Sequence, residues 1–440
     1  MKSSDLTVLI IGAGAREHVI SRAYEKSSIV SKIIISPGND FMKINRDKTI
    51  IIDPNSNLND AESFLRIANK YQPDLIDVAQ DNALAVGTVD LLQQNGYMVF
   101  GPTKAASRIE WDKAWSRNFM KKYGIKTPHY DVFDTEEDGI EFINSLYQKN
   151  QNSVVYIKAS GLCAGKGALK SESLEQAKVN IRSMKEFGEA GKTYLIEEGI
   201  SGEEFSIYAI TDGHTFYVCK PSQDNKLSHN FDEGFQTGGM GAIAPTSIID
   251  GFIEDISNNF IKPVIEGMKQ ENHPYIGIIY FGGIVTNNKI LTIEYNARWG
   301  DPECQVVLPG IQTSYAEIVL ACLNGKLDEL KIEEDNFVRV CVVGTSKGYP
   351  NDYSQVKGKQ IFGLNDKRND IELYSAGIQI LNNKFVANGG RLFSIVGKDY
   401  SLIKAKQAAY NAISGLAIEG NNLHYRTDIG WRDIERENTK

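Results

Sequence analysis

Lys158-Ala-Ser-Gly-Leu-Cys-Ala-Gly-Lys-Gly167 carries three glycines and two lysines in ten residues, and its reading decides the fold. The common nucleotide loop, G-x-x-x-x-G-K-[ST], needs four residues between its glycines and a hydroxyl after the lysine for a metal ion. Here only three residues separate Gly161 from Gly165, and Gly167 follows Lys166. That loop is excluded on spacing and on chemistry. The flanks "SVVYIKA" and "ALKSES" are strand-like, so the stretch reads as a glycine-rich hairpin between two strands. Such a hairpin lies over a polyphosphate, offering N–H groups at Gly161, Gly165 and Gly167 and the ammonium of Lys166. Lys158, on the leading strand, reaches the same phosphates. An ordinary hairpin uses glycine for its turn alone, but it has no need of two lysines.

Outward from this loop, the chain divides into three units. Strand-like "LTVLIIG" (6–12), "SKIIIS" (31–36), "TIIID" (49–53) and "PDLIDVA" (73–79) alternate with helix-like 17–27 and 59–71. This pattern predicts a parallel α/β sheet over 1–105, with "GAGAREH", "SPGND" and "AQDNAL" along one rim beyond the strand ends. A second unit, 106–330, opens with a long helix within 100–124. Its 125–197 part is mainly strands with a helix near 173–187. Strands at 203–212 and 214–222, a helix over about 250–270 and the strands "YIGIIYFGGIVTN" and "KILTIEYNA" follow. The third unit, 331–440, is mostly β with one helix at about 402–418. The fold class is therefore mixed α/β and α+β in several domains, consistent with 440 residues. A net charge of −8 argues against nucleic acid as a partner, and no apolar run approaches the roughly 18 residues of a membrane span. Five scattered cysteines without a C-x-x-C pair fit reduced thiols and a cytoplasmic location. The N-terminus leaves no room for a signal peptide before the first strand-like segment.

"LIIGAGAREH" supplies two glycines of a dinucleotide turn, Gly12 and Gly14, but has Glu17 in the third position. A nicotinamide site is therefore disfavoured, because close helix–strand packing wants no side chain there. What remains is a glycine turn into a helix N-terminus, which suits an anion, with Arg16 adding a fork. The bland alternative is a tight turn with a surface arginine. "ILTIEYNARWGDPE" (290–303) is the metal candidate. Glu294 and Asn296 share one strand face, and carboxylate and amide oxygens suit Mg²⁺ held jointly with nucleotide phosphates. Arg298 points the same way, and Asp301 and Glu303 follow in a turn. "YLIEEGISGEEFS" (194–206) reads either as a nucleotide hinge or as a solvated turn. "SQDNK" (222–226) and "FQTGGMGA" (235–242) show only that backbone approaches something closely. No histidine pair supports zinc and no G-x-S-x-G supports a hydrolase.

Together "IGAGAREH", "FGPTKAASRIEWDKAWSRNFMKKYGI", "IKASGLCAGKG", "IEEGISGEEFS", "SQDNK", "TGGMGAIAP", "IEYNARWGDPE" and "YRTDIGWR" resemble the phosphoribosylamine–glycine ligase family of the ATP-grasp superfamily, over nearly the whole chain. The resemblance implies ATP between two antiparallel sheets, with Lys113 and Lys158 on its phosphates and the lid hairpin, at Gly161, Gly165, Lys166 and Gly167, above them. It implies a hinge of Glu197, Glu198 and Ile200 at adenine, Glu204 at the ribose, and Mg²⁺ or Mn²⁺ on Glu294 and Asn296. Phosphoribosylamine would face Gly12, Gly14, Arg16, Glu17, Asn39, Asp81, Thr103 and Lys104; glycine would lie near Asp224, Arg298 and Asp301. Lys158, Arg298 and Asp301 would be the catalytic residues. The reaction implied is ATP-dependent formation of glycinamide ribonucleotide through glycyl phosphate, by a monomer or weak homodimer. The chain departs from the family pattern at Asp81, in "SPGND", at Ser375 and at Cys304. These departures leave room for another ATP-grasp carboxylate–amine ligase or a biotin-dependent carboxylase.

Overall fold

A computed structural model describes residues 5–163, 165–364 and 370–439; Ala164 in the opening loop lies outside them. Apolar runs at β1 (Leu6–Gly12), β2 (Val30–Pro37), β3 (Thr49–Ile52), β4 (Leu75–Val78) and β5 (Val99–Phe100) build a parallel sheet in the order β3-β2-β1-β4-β5. Both faces are covered, as the near-continuous burial of Val8, Leu9, Ile10 and Ile11 requires. The order reverses between β1 and β4, where Ile11 pairs with Val78. The turn after Gly12 and the segment from Ala79 to Asp81 therefore meet at the topological switch point, where open α/β sheets bind ligands.

The segment 100–124 is not one helix. Asp112 leaves helical geometry at φ −133°, ψ 92° and caps the second piece, Lys113–Lys122, by accepting from Trp115 N at 3.0 Å. The first piece is Arg108–Trp111. An aspartate that bonds the orphan N–H groups of a new helix favours a restart over continuation. The break aims Lys113 at the glycine-rich hairpin.

Two four-stranded antiparallel sheets follow. The first is β6 (Tyr130–Phe133), β7 (Val155–Ala159), β8 (Ala168–Ser171) and β9 (Tyr194–Glu198), in the order β6-β9-β7-β8. Beside the expected helix, here Leu174–Ser183, it carries Glu136–Lys149, which the sequence reading missed. Gly139 and the acidic first turn hide its apolar face, where Ile143 and Tyr147 are buried. Ile143, Ile157, Ile181 and Ile196 make a core of their own, apart from the rest of the molecule. The second sheet joins β10 (Glu203–Asp212) and β11 (Phe216–Val218) to β16 (Ile276–Thr286) and β17 (Lys289–Asn296). The expected strand 214–222 is shorter because the chain leaves this sheet after Val218.

It leaves for the third unit. β12 (Gln223–Asp224) and β15 (Gly241–Ala244) enter the sheet of β18 (Val338–Ser346), β20 (Ile371–Ser375) and β23 (Arg391–Asp399), ordered β12-β15-β18-β23-β20. Two segments read from sequence as loops of the middle unit are thus strands of the last one. Between them β13 (Leu227–His229) and β14 (Glu233–Gln236) form a hairpin. The helix expected in the third unit stops at Ile413 rather than 418, since Ala417–Ile418 pairs with Ile361–Phe362, and an unexpected second helix, Trp431–Thr439, follows it. One core runs through Val8, Tyr24, Tyr208, Trp299 and Val343, so residues from all three units pack as one body.

Within that core Asp77, 3% exposed, accepts from Tyr24 Oη at 2.8 Å. Burial pushes its carboxyl up to about 7, against hydrogen bonds from Tyr24 and Tyr315 that lower it. The folded state therefore holds this proton more tightly than the unfolded chain, so stability is lost as pH rises from about 4 to about 7. Asp77→Asn is expected to remove a slope of up to about 1.4 kcal/mol per pH unit in that window. Urea unfolding across the window checks this, and an unchanged slope would refute it.

Candidate active site

The two antiparallel sheets face each other across a cleft lined with charge. On the lid side, Lys113 begins its helix with its N–H on Ser160 O at 2.9 Å, and its Nζ reaches Gly161 O at 3.3 Å. Burial lowers its ammonium, partly offset by the nearby Glu294 carboxylate. Lys158, on β7, pairs with Glu197 on β9. Arg117 donates to the other oxygen of Glu197 at 2.5 Å and to Ile293 O at 2.7 Å. Burial would raise the Glu197 carboxyl, but Arg117 and Lys158 hold it at about 2. In the hairpin, Lys166 N donates to Cys163 O at 2.9 Å and Ala159 N to Gly167 O at 2.8 Å, while Gly165 and Lys166 are exposed. Of the hinge, Glu198 N is bonded to His129 O and Gly199 N to Val154 O, with Ile200 half-buried beyond them.

On the opposite sheet, a bulge between Gly282 and Gly283 shifts the pairing so that Glu294 lies across from Gly282. Asn296 Nδ2 stands 3.5 Å from Glu294 Oε1. Burial would raise Glu294, yet Lys226, Lys113, Lys158 and Arg298 together keep it below the usual carboxylate range. Glu204 accepts from Lys226 Nζ at 3.0 Å. Burial would lower Lys226, but Glu204, Tyr280, Glu294 and Asp224 hold its ammonium well above the ordinary value. Arg298 pairs with Glu110 at 2.8 Å, whose second oxygen accepts from Ala297 N at 2.7 Å. Asp224 is raised by burial and by Glu303, and its Oδ1 has no hydrogen-bond partner. Gly239, at φ +113°, packs over this carboxylate; a side chain there would collide with Pro302 and lie 2.9 Å from Asp224 Oδ1. Asp301 is fixed by Gln305 at 2.7 Å and by Arg391 of β23, which also donates to Asp301 O at 2.6 Å and Gly238 O at 2.7 Å.

The N-terminal rim differs from expectation. Glu17 folds back into the glycine turn, accepting from Gly14 N and from Arg16 Nε, each at 2.6 Å. Gly12, at φ +141°, has no room for a side chain because Glu17 occupies it. Arg16, 5% exposed, also donates to Trp299 O at 3.0 Å. The free N–H groups and fork predicted for an anion are thus used internally, because the residue in the third glycine position is itself an anion. A dinucleotide's pyrophosphate finds a carboxylate in its place. Asn39 donates to Ala13 O at 2.9 Å and accepts from Ser375 Oγ at 2.7 Å, tying the rim to the third unit. Asp81 opens a short helix, half-buried, and its charge acts on both Glu110 and Arg298. Thr103 is half-buried and Lys104 exposed, its N–H on Asp90 at 2.7 Å. Ala79, Gly101, Pro102 and Arg298 line one small cavity.

Sequence reasoning did not single out Glu110, Arg117, Lys226 or Arg391, and it named Glu303 only as following Asp301 in a turn. Glu110 and Arg117 lie three residues before and four after Lys113, on the two successive helices Arg108–Trp111 and Lys113–Lys122, and that closeness in sequence was the available signal. The others depend on contacts between distant segments.

Comparison with known proteins follows this geometry. Models of the N domain, the ATP-grasp (A) domain and the C domain of phosphoribosylglycinamide synthetase match residues 6–110, 111–304 and 339–432. A phosphoribosylamine–glycine ligase of Fusobacterium nucleatum is 36% identical over 432 residues, covering 97% of this chain and 98% of that protein. The trifunctional purine biosynthetic protein adenosine-3 of Bos taurus is 35% identical over 97% of this chain and 42% of its own length. The crystal structure of the Thermotoga maritima phosphoribosylamine–glycine ligase superposes with a TM-score of 0.80 at 30% identity, covering 96% of this chain and 100% of that one. A Campylobacter jejuni biotin carboxylase shares the fold alone, at 15% identity and a TM-score of 0.69 over 95% of this chain and 92% of its own.

Removing the charge of Glu110 leaves Arg298 without its carboxylate in a buried setting. Glu110→Gln is expected to destabilise by about 3 kcal/mol, read from the urea midpoint at constant slope. A change below about 0.5 kcal/mol would show that Arg298 does not depend on this partner.

Proposed function

The chain belongs to the phosphoribosylglycinamide synthetase family, ATP-grasp ligases that join glycine to 5-phosphoribosylamine, and we propose that it does so through glycyl phosphate, forming ADP, phosphate and glycinamide ribonucleotide. One observation supports this reading most strongly: Lys226, Lys113 and Lys158, from separate segments, all act on the carboxylate of Glu294, which shares a strand with Asn296. ATP-grasp enzymes use ATP with a divalent cation. Among the described residues no group of three His, Cys, Asp or Glu converges. Glu294 and Asn296 would hold the cation, and their hard oxygens fit Mg²⁺ or Mn²⁺. Glu294, kept ionised by its cationic neighbours, fits that role. Bound there, the ion would supply positive charge that offsets the charge of the phosphates.

In this reading Lys113, Lys158 and the lid N–H groups at Gly161, Gly165 and Gly167 hold the triphosphate, with Lys166 closing over it. The hinge from Glu197 through Glu198 to Ile200 receives adenine and Glu204 the ribose. Glycine enters with its ammonium on Asp224, whose unpartnered, raised carboxyl is answered by an arriving cation. Its carboxylate faces Arg298 and attacks the γ-phosphorus, with Lys158 and Arg298 offsetting the developing charge. Asp301 keeps the "WGDPE" turn in place through Gln305 and Arg391. The amino group of phosphoribosylamine then displaces phosphate. Glycyl phosphate would hydrolyse in open water, so the lid must close first; its separate core suits motion as a body. At the rim, Gly12, Gly14, Asn39, Asp81 and Thr103 face the sugar. Because Arg16 and Glu17 are paired with each other, the exposed Lys104 is left as the cation for the sugar phosphate. Five free cysteines suit a reducing cytoplasm, and a monomer or weak homodimer is part of the same proposal. No helix among the described residues is long and apolar enough to cross a membrane.

ADP release is expected only with Mg·ATP, glycine and phosphoribosylamine all present, with glycinamide ribonucleotide seen by mass. ADP formed without either co-substrate, or none despite ATP binding, points instead to another carboxylate–amine ligase or a carboxylase. Lys158→Met and Glu294→Ala are each expected to lower turnover by about 100-fold or more, with an unchanged far-UV CD spectrum. Near-normal turnover in either would sink the site assignment.

A further inference from the structure

Glu197 sits at the centre of the lid-side cleft, 2% exposed, with a cation on each carboxylate oxygen. The two cations are not equivalent. Arg117 is 4% exposed and its guanidinium is held at both ends, by Glu197 at 2.5 Å and by the carbonyl of Ile293 at 2.7 Å. Its acceptors lie on different sheets, one on β9 of the lid and the other on β17, next to Glu294. Lys158 makes its contact with Glu197 and lies among the cleft charges, close enough to Lys113 and Glu294 to shift both.

We infer that Arg117 is a positioning residue for phosphoryl transfer: as the standing counter-ion of Glu197 it frees Lys158 to pass from that carboxylate to the nucleotide phosphates, and its fork ties the lid to the metal-bearing strand. A buried carboxylate stripped of every partner is strongly disfavoured. With Arg117 present, Lys158 leaves Glu197 without stranding a charge. Without it, Lys158 becomes the only counter-ion and is held where it is of no use to ATP. Glu197 is thus a resting place for Lys158. An arginine fits position 117 because its planar fork reaches two acceptors in fixed directions, whereas an ammonium is a single point of charge.

The inference rests on the assignment of Lys158 to the phosphates, and the test separates the two. Steady-state kcat and KM for ATP would be measured for Lys158→Met, Arg117→Met, Arg117→Lys and the double variant Arg117→Met/Glu197→Gln, each checked for folding by CD. Arg117→Met is expected to lose about 100-fold in kcat, and the double variant to regain about tenfold, because no buried carboxylate then detains Lys158. A purely structural role for Arg117 predicts the reverse, with the double variant no better than the single. Arg117→Lys keeps the charge but not the fork, so kcat stays within about tenfold of the parent while KM for ATP rises. A folded double variant no faster than Arg117→Met, or Arg117→Met within about threefold of the parent, overturns the inference. Should Arg117→Met fail to fold, Arg117→Lys decides, and a loss in kcat beyond about tenfold overturns it. If Lys158→Met itself turns over normally, the site assignment falls; if it is inactive and only the rescue fails, the inference about Arg117 falls alone.

Discussion

Four cations gather at one cleft, and each has a carboxylate beside it, buried for Glu197 and Glu110 and exposed for Glu204. Lys158 faces Glu197, Lys226 faces Glu204, Arg298 faces Glu110, and Lys113 feels Glu294. Without those partners, like charges gathered in a low-dielectric cleft would repel one another and lose their protons or their positions. With them, the cleft is prepaired: it holds fixed positive charge that a triphosphate can take over. This constraint explains why the middle of an acidic protein still suits an anionic substrate.

The same logic governs how the units are joined. The cleft needs Arg298 at the end of β17, Glu110 at the entrance to the ATP-grasp domain and Asp81 on the N-terminal rim, so these parts cannot drift apart. Arg16 donates to Trp299 O, Asn39 bonds to Ser375, and Arg391 reaches Asp301 and Gly238. The sheet of the third unit takes β12 and β15 from the second and thereby fixes Asp224 at a strand end. The lid packs around a core of its own and meets this body through polar contacts, among them those of Arg117 with Glu197 and Ile293 O. A ligase that must bring three substrates together and then exclude water is well served by one rigid frame and one movable cover.

The departures at the rim follow from local physics. Glu17 turns a glycine turn that would bind an anion into one that is already satisfied, and it immobilises Arg16 in doing so. Ser375 closes a network with His18 and Asn39, its N–H on His18 Nδ1 at 3.0 Å. His18 is wholly buried, and burial lowers its imidazole well below the usual range, so it stays neutral in that network.

The sequence by itself determined the parallel sheet, the two strands around the glycine-rich hairpin and the shared strand face of Glu294 and Asn296. Those features are written in periodicity and glycine spacing, which act over a few residues. It also carried the family, since motifs spread from "IGAGAREH" to "YRTDIGWR" hold their order. It did not reveal the helix Glu136–Lys149, whose first turn is acidic and is followed by Gly139, or the break at Asp112. Tertiary structure alone decided that "SQDNK" and "TGGMGA" belong to the last sheet and that Arg16 is spent on Glu17 and Trp299. It alone placed Arg117 between Glu197 and Ile293. The reason is physical: a carboxylate's partner is chosen by what burial brings within hydrogen-bond distance, and for Arg117 and Glu197 that meeting joins positions 80 residues apart.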